Sequence, residues 1–123
     1  MPSTSKTPAR ASSSRLADGR EAFNRGDFYL AHEHWEEAWR DARDPDRRLL
    51  QGLIQIAAGC HHLREGRRDP GARLISKGAA KLTNTTTPVA TPELAALPVA
   101  AFLTRIANLL AAATLPDPCS LKL

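Results

Sequence analysis

The stretch Phe23–Arg40, FNRGDFYLAHEHWEEAWR, decides the fold, because a helix stop, a turn and a helix start follow one another in it directly. Gly26 can take the left-handed conformation that ends a helix. Asp27 offers a carboxylate to the first unbonded amides of the next one. With so short a link, the helices on either side must fold back as a tight hairpin. From Phe28 on, at about 100° per residue, Phe28, Ala31, Trp35, Trp39 and Ala42 share one arc, which is the expected buried face. His32 points into the same arc, Glu36 follows one turn later on its flank, and Glu33 and Glu37 point away.

The His32–Glu36 spacing sets an imidazole and a carboxylate side by side on one helix face. Such a pair can ligate a metal, or act as a base with its orienting acid. It can equally be a structural hydrogen-bonded pair, since a metal needs a third and usually a fourth donor.

Upstream, residues 1–14 (MPSTSKTPARASSS) lack large apolar side chains and are expected to be a disordered basic tail. A first helix is expected over Arg15–Arg25, with Leu16, Ala22 and Phe23 inward. Downstream, Asp44-Pro45 reads as a cap followed by a first-turn proline, opening a helix that runs to about Glu65 and stops at Gly66. Its apolar positions Leu49, Leu50, Leu53, Ile54, Ile56, Ala57 and Cys60 are broad enough to be buried from more than one side. Gln51, Gln55 and His62 form a polar stripe on it, and His61 lies about 100° away. Gly52 and Gly59 share one side, open to close approach by another helix.

Asp69-Pro70 repeats the cap signal for a helix over Pro70–Leu82, with Ala72, Ile75, Ala79 and Leu82 inward and a basic row, Arg73, Lys77 and Lys81, outward. Residues 83–91 read as a loop. Thr91-Pro92 starts a short turn to Leu97, and Pro98 begins a final helix marked by Val99, Phe102, Leu103, Ile106, Leu109, Leu110 and Ala113. No strand alternation occurs. The expectation is an all-α, single compact bundle of about five helices over residues 15–114, with a loose tail over residues 115–123. The glycine stop and following helix start at Gly26–Ala31 return at Gly66–Ala72, which suggests stacked helical hairpins of the tetratricopeptide type.

The 123 residues suffice for one domain. The formal charge of +4 is misleading, since Lys6, Arg10 and Arg15 lie in an acid-free start and the rest holds 14 Lys and Arg against 13 Asp and Glu. Nucleic-acid binding is therefore not expected. Cys60 and Cys119 have no metal-ligand spacing and read as reduced thiols. With no apolar run of membrane-spanning length and no signal peptide, the expected location is cytoplasmic, away from the membrane.

The segments AFNRGDFYLAHEHWEEAW and LLQGLIQIAAGCHHLREGRRDPGARLISKGAAKL resemble the family of small bacterial and archaeal proteins known as domain of unknown function 309. The resemblance covers residues 16–110 and rests on His32-Glu33, Glu36, Trp39, the segment Gln51–Gln55 and Gly71-Ala72. It implies a compact helical domain of superhelical hairpins. It also implies an activity, because members are labelled predicted metal-dependent hydrolases. His32, Glu33, Glu36, Trp39, Gln51 and Gln55 match the family's polar and aromatic positions, and His62 is compatible.

Two functions follow. In the first, the chain is a binding or structural module in which a buried His/Glu/Gln network fixes how two helices register, with function in a groove between hairpins or in homo-oligomers formed through the Gly52/Gly59 side. In the second, His32, Glu36 and His62 hold a divalent metal that activates water for hydrolysis, in a pocket walled by Trp35 and Trp39 with Glu33, Gln51 and Gln55 nearby.

Overall fold

The computed structural model describes residues 8–112 and 117–123. The described residues form α1 (Pro8–Asn24), α2 (Phe28–Asp41), α3 (Asp46–Arg64), α4 (Arg68–Asn84), α5 (Pro92–Ala95), α6 (Val99–Ala111) and a 3₁₀ turn at Pro118–Ser120, with no strand. α1 packs on α2, α2 on α3 and α3 on α4, while α5 lies against α1 and α6 against α4. The fold is all-α.

Both hairpin turns use one device. Gly26 and Gly66 take φ of 86° and 82°, where a Cβ would be strained. In the first turn Asp27 N donates to Ala22 O and Gly26 N to Phe23 O, each at 2.9 Å. In the second, Arg67 N donates to His62 O at 2.9 Å and Gly66 N to Leu63 O at 3.1 Å. Each pair satisfies two carbonyls that the helix end leaves open. Asp27 caps α2 as expected, accepting the Leu30 amide at 3.3 Å.

The other starts differ from expectation. α3 begins at Asp46 with Pro45 at the cap position, and α4 begins at Arg68 with Arg67 there, so neither Asp44 nor Asp69 is a cap. The Gly66 turn feeds straight into α4, and Asp69 and Pro70 fall in its first turn. A proline is tolerated there because those amides have no intrahelical acceptor. α1 begins at Pro8 instead of Arg15, so residues 8–14 are helical rather than disordered. Pro8 suits a first helical position and the alanines after it favour continuation. Residues 1–7 and 113–116, and the side chains of residues 8–13 and of Cys119, lie outside the described residues.

Phe23 is the hub of the core. Its ring meets Phe28 at 5.1 Å, Trp35 at 5.7 Å and Phe102 at 5.7 Å between centroids, tying α1, α2 and α6 together. The pairs with Phe28 and Phe102 are edge-to-face, an arrangement that adds about 0.5–1.5 kcal/mol beyond area burial. Gly19 gives Trp35 its place: a Cβ there would stand 2.9 Å from Trp35 Cε2. The indole N–H donates to Leu16 O at 3.4 Å.

α3 is the central helix, as its broad apolar surface demands. Its glycine side is not open for self-association, because α4 closes it. A Cβ at Gly52 would lie 2.8 Å from Gly78 O, and one at Gly59 2.7 Å from Gly71 O. The buried set of α4 is accordingly Gly71, Ile75, Gly78 and Leu82, with Ala72 and Ala79 on the margin.

Two long-range anchors finish the fold. Asp46 is buried at the start of α3 and accepts the amides of Ala90 at 2.9 Å and Thr91 at 2.8 Å, together with the Thr91 hydroxyl. Burial pushes its carboxyl up, but the Thr91 hydroxyl and then the Ala90 and Thr91 amides outweigh this and leave it below its ordinary value. Residues 117–123, expected to be loose, are docked: Leu121 is 2% exposed and Leu123 5%. Two leucines in so short a segment supply enough apolar area to hold it against the body.

Candidate functional site

α2 and α3 run antiparallel, pinned at one end by Arg64 Nη1 donating to Gly26 O and at the other by Arg47 Nη1 donating to Trp39 O and Ala42 O at 3.4 Å each. The Arg47 guanidinium also stacks on the Trp39 ring at 3.7 Å, covering one of its faces. Across this pair Tyr29 of α2 meets His61 of α3, and Trp39 of α2 meets Arg47 of α3.

His32 Nε2 lies 3.7 Å from Glu36 Oε2, with the side chains 27% and 46% exposed. The pair expected from the spacing is therefore formed, at the half-open edge of the seam. Three atoms are buried with no hydrogen-bond partner among the described residues: His32 Nδ1, Trp39 Nε1 and Gln55 Oε1. They belong to three positions singled out in the sequence, and each costs about 1–3 kcal/mol while unpaired.

The remaining expected residues fall elsewhere. Glu33 and Gln51 are exposed. Trp35 faces α1 rather than the seam, since its indole is held over Gly19 and bonded to Leu16. His62 Nδ1 is 2.8 Å from Arg67 Nε, beyond the Gly66 turn. A guanidinium against that nitrogen opposes a dication there. Among the described residues no three His, Cys, Asp or Glu side chains are grouped to hold a metal ion. His32, Glu36 and His62 are thus not brought together as one donor set in this structure.

His61 instead reaches α2. The Tyr29 ring lies 5.6 Å from that of His61 and stacks on His32 at 6.2 Å, with an interplanar angle of 19°. Tyr29 is 56% exposed, unusual for a large ring in this chain. A cleft of about 300 Å³ opens here, lined by Gly26, Asp27, Phe28, Tyr29, His61, Arg64 and Glu65. In the sequence Tyr29 is marked only by its register one turn before His32.

Two further clefts lie near α5. One of about 430 Å³ runs from Ala38 and Leu50 past Asp46 to Thr91 and Leu94. The other, of about 320 Å³, is lined by α1 and α5 with Trp35. None of the three includes His32, Glu36, Trp39 or Gln55.

The described residues thus form a small all-helical domain in which two hairpins, α1–α2 and α3–α4, each turn on a glycine of positive φ. Residues 16–74 match the family described as Domain of unknown function (DUF309). The match takes in α2, α3 and parts of α1 and α4, and is shorter than the 16–110 resemblance read from the sequence. An uncharacterized protein of Aquifex aeolicus (strain VF5) is 33% identical over 70 residues, which is 56% of this chain and 21% of that relative. The chain thus spans about a fifth of the relative's length. No solved structure matches. Among the described residues no helix is long and apolar enough to cross a membrane.

Proposed function

We propose that this chain is a binding module, in which the α2–α3 seam is a polar site that fixes the register of the two hairpins and hydrogen-bonds a small polar group from outside the chain. The observation that carries this is the trio His32 Nδ1, Trp39 Nε1 and Gln55 Oε1, buried on α2 and α3 with no hydrogen-bond partner among the described residues. A donor-only indole N–H, an acceptor-only amide oxygen and an imidazole nitrogen together suit a group that both donates and accepts. Tyr29 and His61 extend the site to the surface.

The test is metal analysis of the purified chain together with thermal melting. The expected result is no stoichiometric metal and no rise in melting temperature with added Zn²⁺, which a bound ion would produce by linkage. His32→Ala is expected to lower the melting temperature by about 5 °C, as a loss near 1 kcal/mol does in a domain of this size. One metal ion per chain that disappears in His32→Ala would overturn the reading in favour of the hydrolase.

A further inference from the structure

Two rows of charge lie on α2 and α4 with the same spacing and opposite sign. On α2, Glu33, Glu37 and Asp41 follow one another at i, i+4 and i+8, and all three are exposed. On α4, Arg73, Lys77 and Lys81 repeat that spacing, the first two exposed and the third half-buried. The two helices are opposite in charge as a whole. α2 holds four carboxylates against one Arg, and α4 holds four Lys and Arg against one carboxylate.

The rows do not satisfy each other inside the chain, since α2 and α4 each pack on α3. The ion pairs among the described residues are Arg25–Glu21, His32–Glu36 and Arg40–Glu37, each between residues three or four apart. Glu37 thus has a local partner in Arg40. Glu33, Asp41, Arg73, Lys77 and Lys81 have no ion pair among the described residues. At 1.5 Å per residue, three charges four residues apart span about 12 Å on either helix. Both rows follow the i, i+4 ridge, by which helices most often pack. Rows of equal pitch and opposite sign can pair at all three positions at once, and whichever way the helices run, Glu37 meets Lys77. The net charge of +4 opposes the approach of two copies. At about 0.1 M ionic strength, however, charges farther apart than about 10 Å are screened from each other. Repulsion between whole chains is then damped, while charges in contact still attract.

We infer that the outer face of α4 is a docking surface for the outer face of α2 on a second copy of this chain, Glu33, Glu37 and Asp41 of one copy pairing with Arg73, Lys77 and Lys81 of the other. Charge complementarity selects that occupant, because the acidic stripe whose pitch matches the basic row is carried by the chain itself. A contact between two unlike patches is heterologous, and each one leaves a row of either sign free for a further copy. Exposed ion pairs are individually weak, so the contact is transient and is set by concentration and salt. It uses none of the buried trio His32, Trp39 and Gln55, and stands or falls apart from that site.

The test is sedimentation equilibrium of the full chain at concentrations up to about 1 mM, where weak contacts form. In about 0.1 M NaCl the weight-average mass is expected to rise with concentration above the 13.4 kDa of one chain. In about 1 M NaCl, where the screening length is about 3 Å, it is expected to stay at that of one chain. Glu37→Lys and Lys77→Glu should each weaken association at least about tenfold, by setting like charges against each other. The first substitution raises the net charge by two and the second lowers it by two, so a mere net-charge effect would strengthen association in Lys77→Glu. The double variant keeps the net charge and should restore association. Arg48→Glu, at an exposed position of α3 outside both rows, should leave association unchanged. A chain that stays single at every concentration in about 0.1 M NaCl overturns the inference, as does association that persists in about 1 M NaCl; both are read on the unaltered chain. Undiminished association in Lys77→Glu, or none in a folded double variant, also overturns it. A chain that stays single yet binds a fluorescein-labelled poly-glutamate peptide would make a foreign acidic partner the occupant, and would overturn it too.

Discussion

Asp46 and Thr91, 45 residues apart, are joined twice: one carboxylate oxygen of Asp46 accepts both the amide and the hydroxyl of Thr91. This contact ties the start of α3 to the segment leading into α5, and it makes stability depend on acid. The folded carboxyl lies below its ordinary 3.8 because hydrogen bonds to the charged form outweigh burial. A group whose folded pKa is depressed contributes fully above its unfolded value, and the contribution is lost as pH falls through the folded one. The melting temperature is therefore expected to drop as pH falls from about 5 through the carboxylate range. Asp46→Asn should remove about 1–3 kcal/mol at neutral pH and flatten the acid limb attributable to this group. An unchanged limb in the variant would contradict the assignment.

The glycine contact between α3 and α4 makes the opposite prediction from helix propensity. Alanine in place of glycine inside a helix gains about 1 kcal/mol on propensity alone. At Gly59 the added Cβ meets Gly71 O at 2.7 Å and Ile75 N at 2.9 Å, both backbone atoms that cannot turn aside. Gly59→Ala should therefore lower stability in urea denaturation, net of the propensity gain, by about 1–3 kcal/mol from overpacking. A stabilised variant would mean that the two helices do not approach as described.

Gly19 and Trp35 form a comparable pair between α1 and α2. Gly19→Ala places a methyl against the indole, 2.9 Å from Cε2, and should move Trp35 out of its buried position and break its bond to Leu16 O. The expected readout is a red shift of tryptophan emission with a loss of about 1–3 kcal/mol. Unshifted emission at unchanged stability would contradict the placement of the ring.

What could be seen in the sequence was whatever depends on neighbours along the chain. The Gly26 and Gly66 stops, the Asp27 cap and the broad apolar surface of α3 each follow from residues within a few turns, and each is found. The His32–Glu36 pair is of the same kind, an i, i+4 relation on one helix. Rotation about helix axes was less legible. Trp35 and Trp39 are only four residues apart, yet α1 takes the first and α3 the second, because a hairpin helix with neighbours on two sides has two buried edges. His61 and His62 divide similarly, one toward Tyr29 and the other toward Arg67. Contacts between distant segments left no local mark. Nothing near Asp46, Asn24 or Arg20 announces Thr91 or Leu123, and the start of α4 was misplaced because the Gly66 turn pre-empts the Asp69-Pro70 signal.

The account turns on His32 and Gln55 serving one site across the α2–α3 seam. A double-mutant cycle on His32→Ala and Gln55→Ala, read as unfolding free energy in urea, tests this most directly. Residues that share a polar site through a common bonded group couple by about 0.5–3 kcal/mol, whereas independent ones add within about 0.3–0.5 kcal/mol. A coupling of about 1 kcal/mol is the predicted result. Strict additivity of the two substitutions would show that the two side chains act apart and would contradict the polar site.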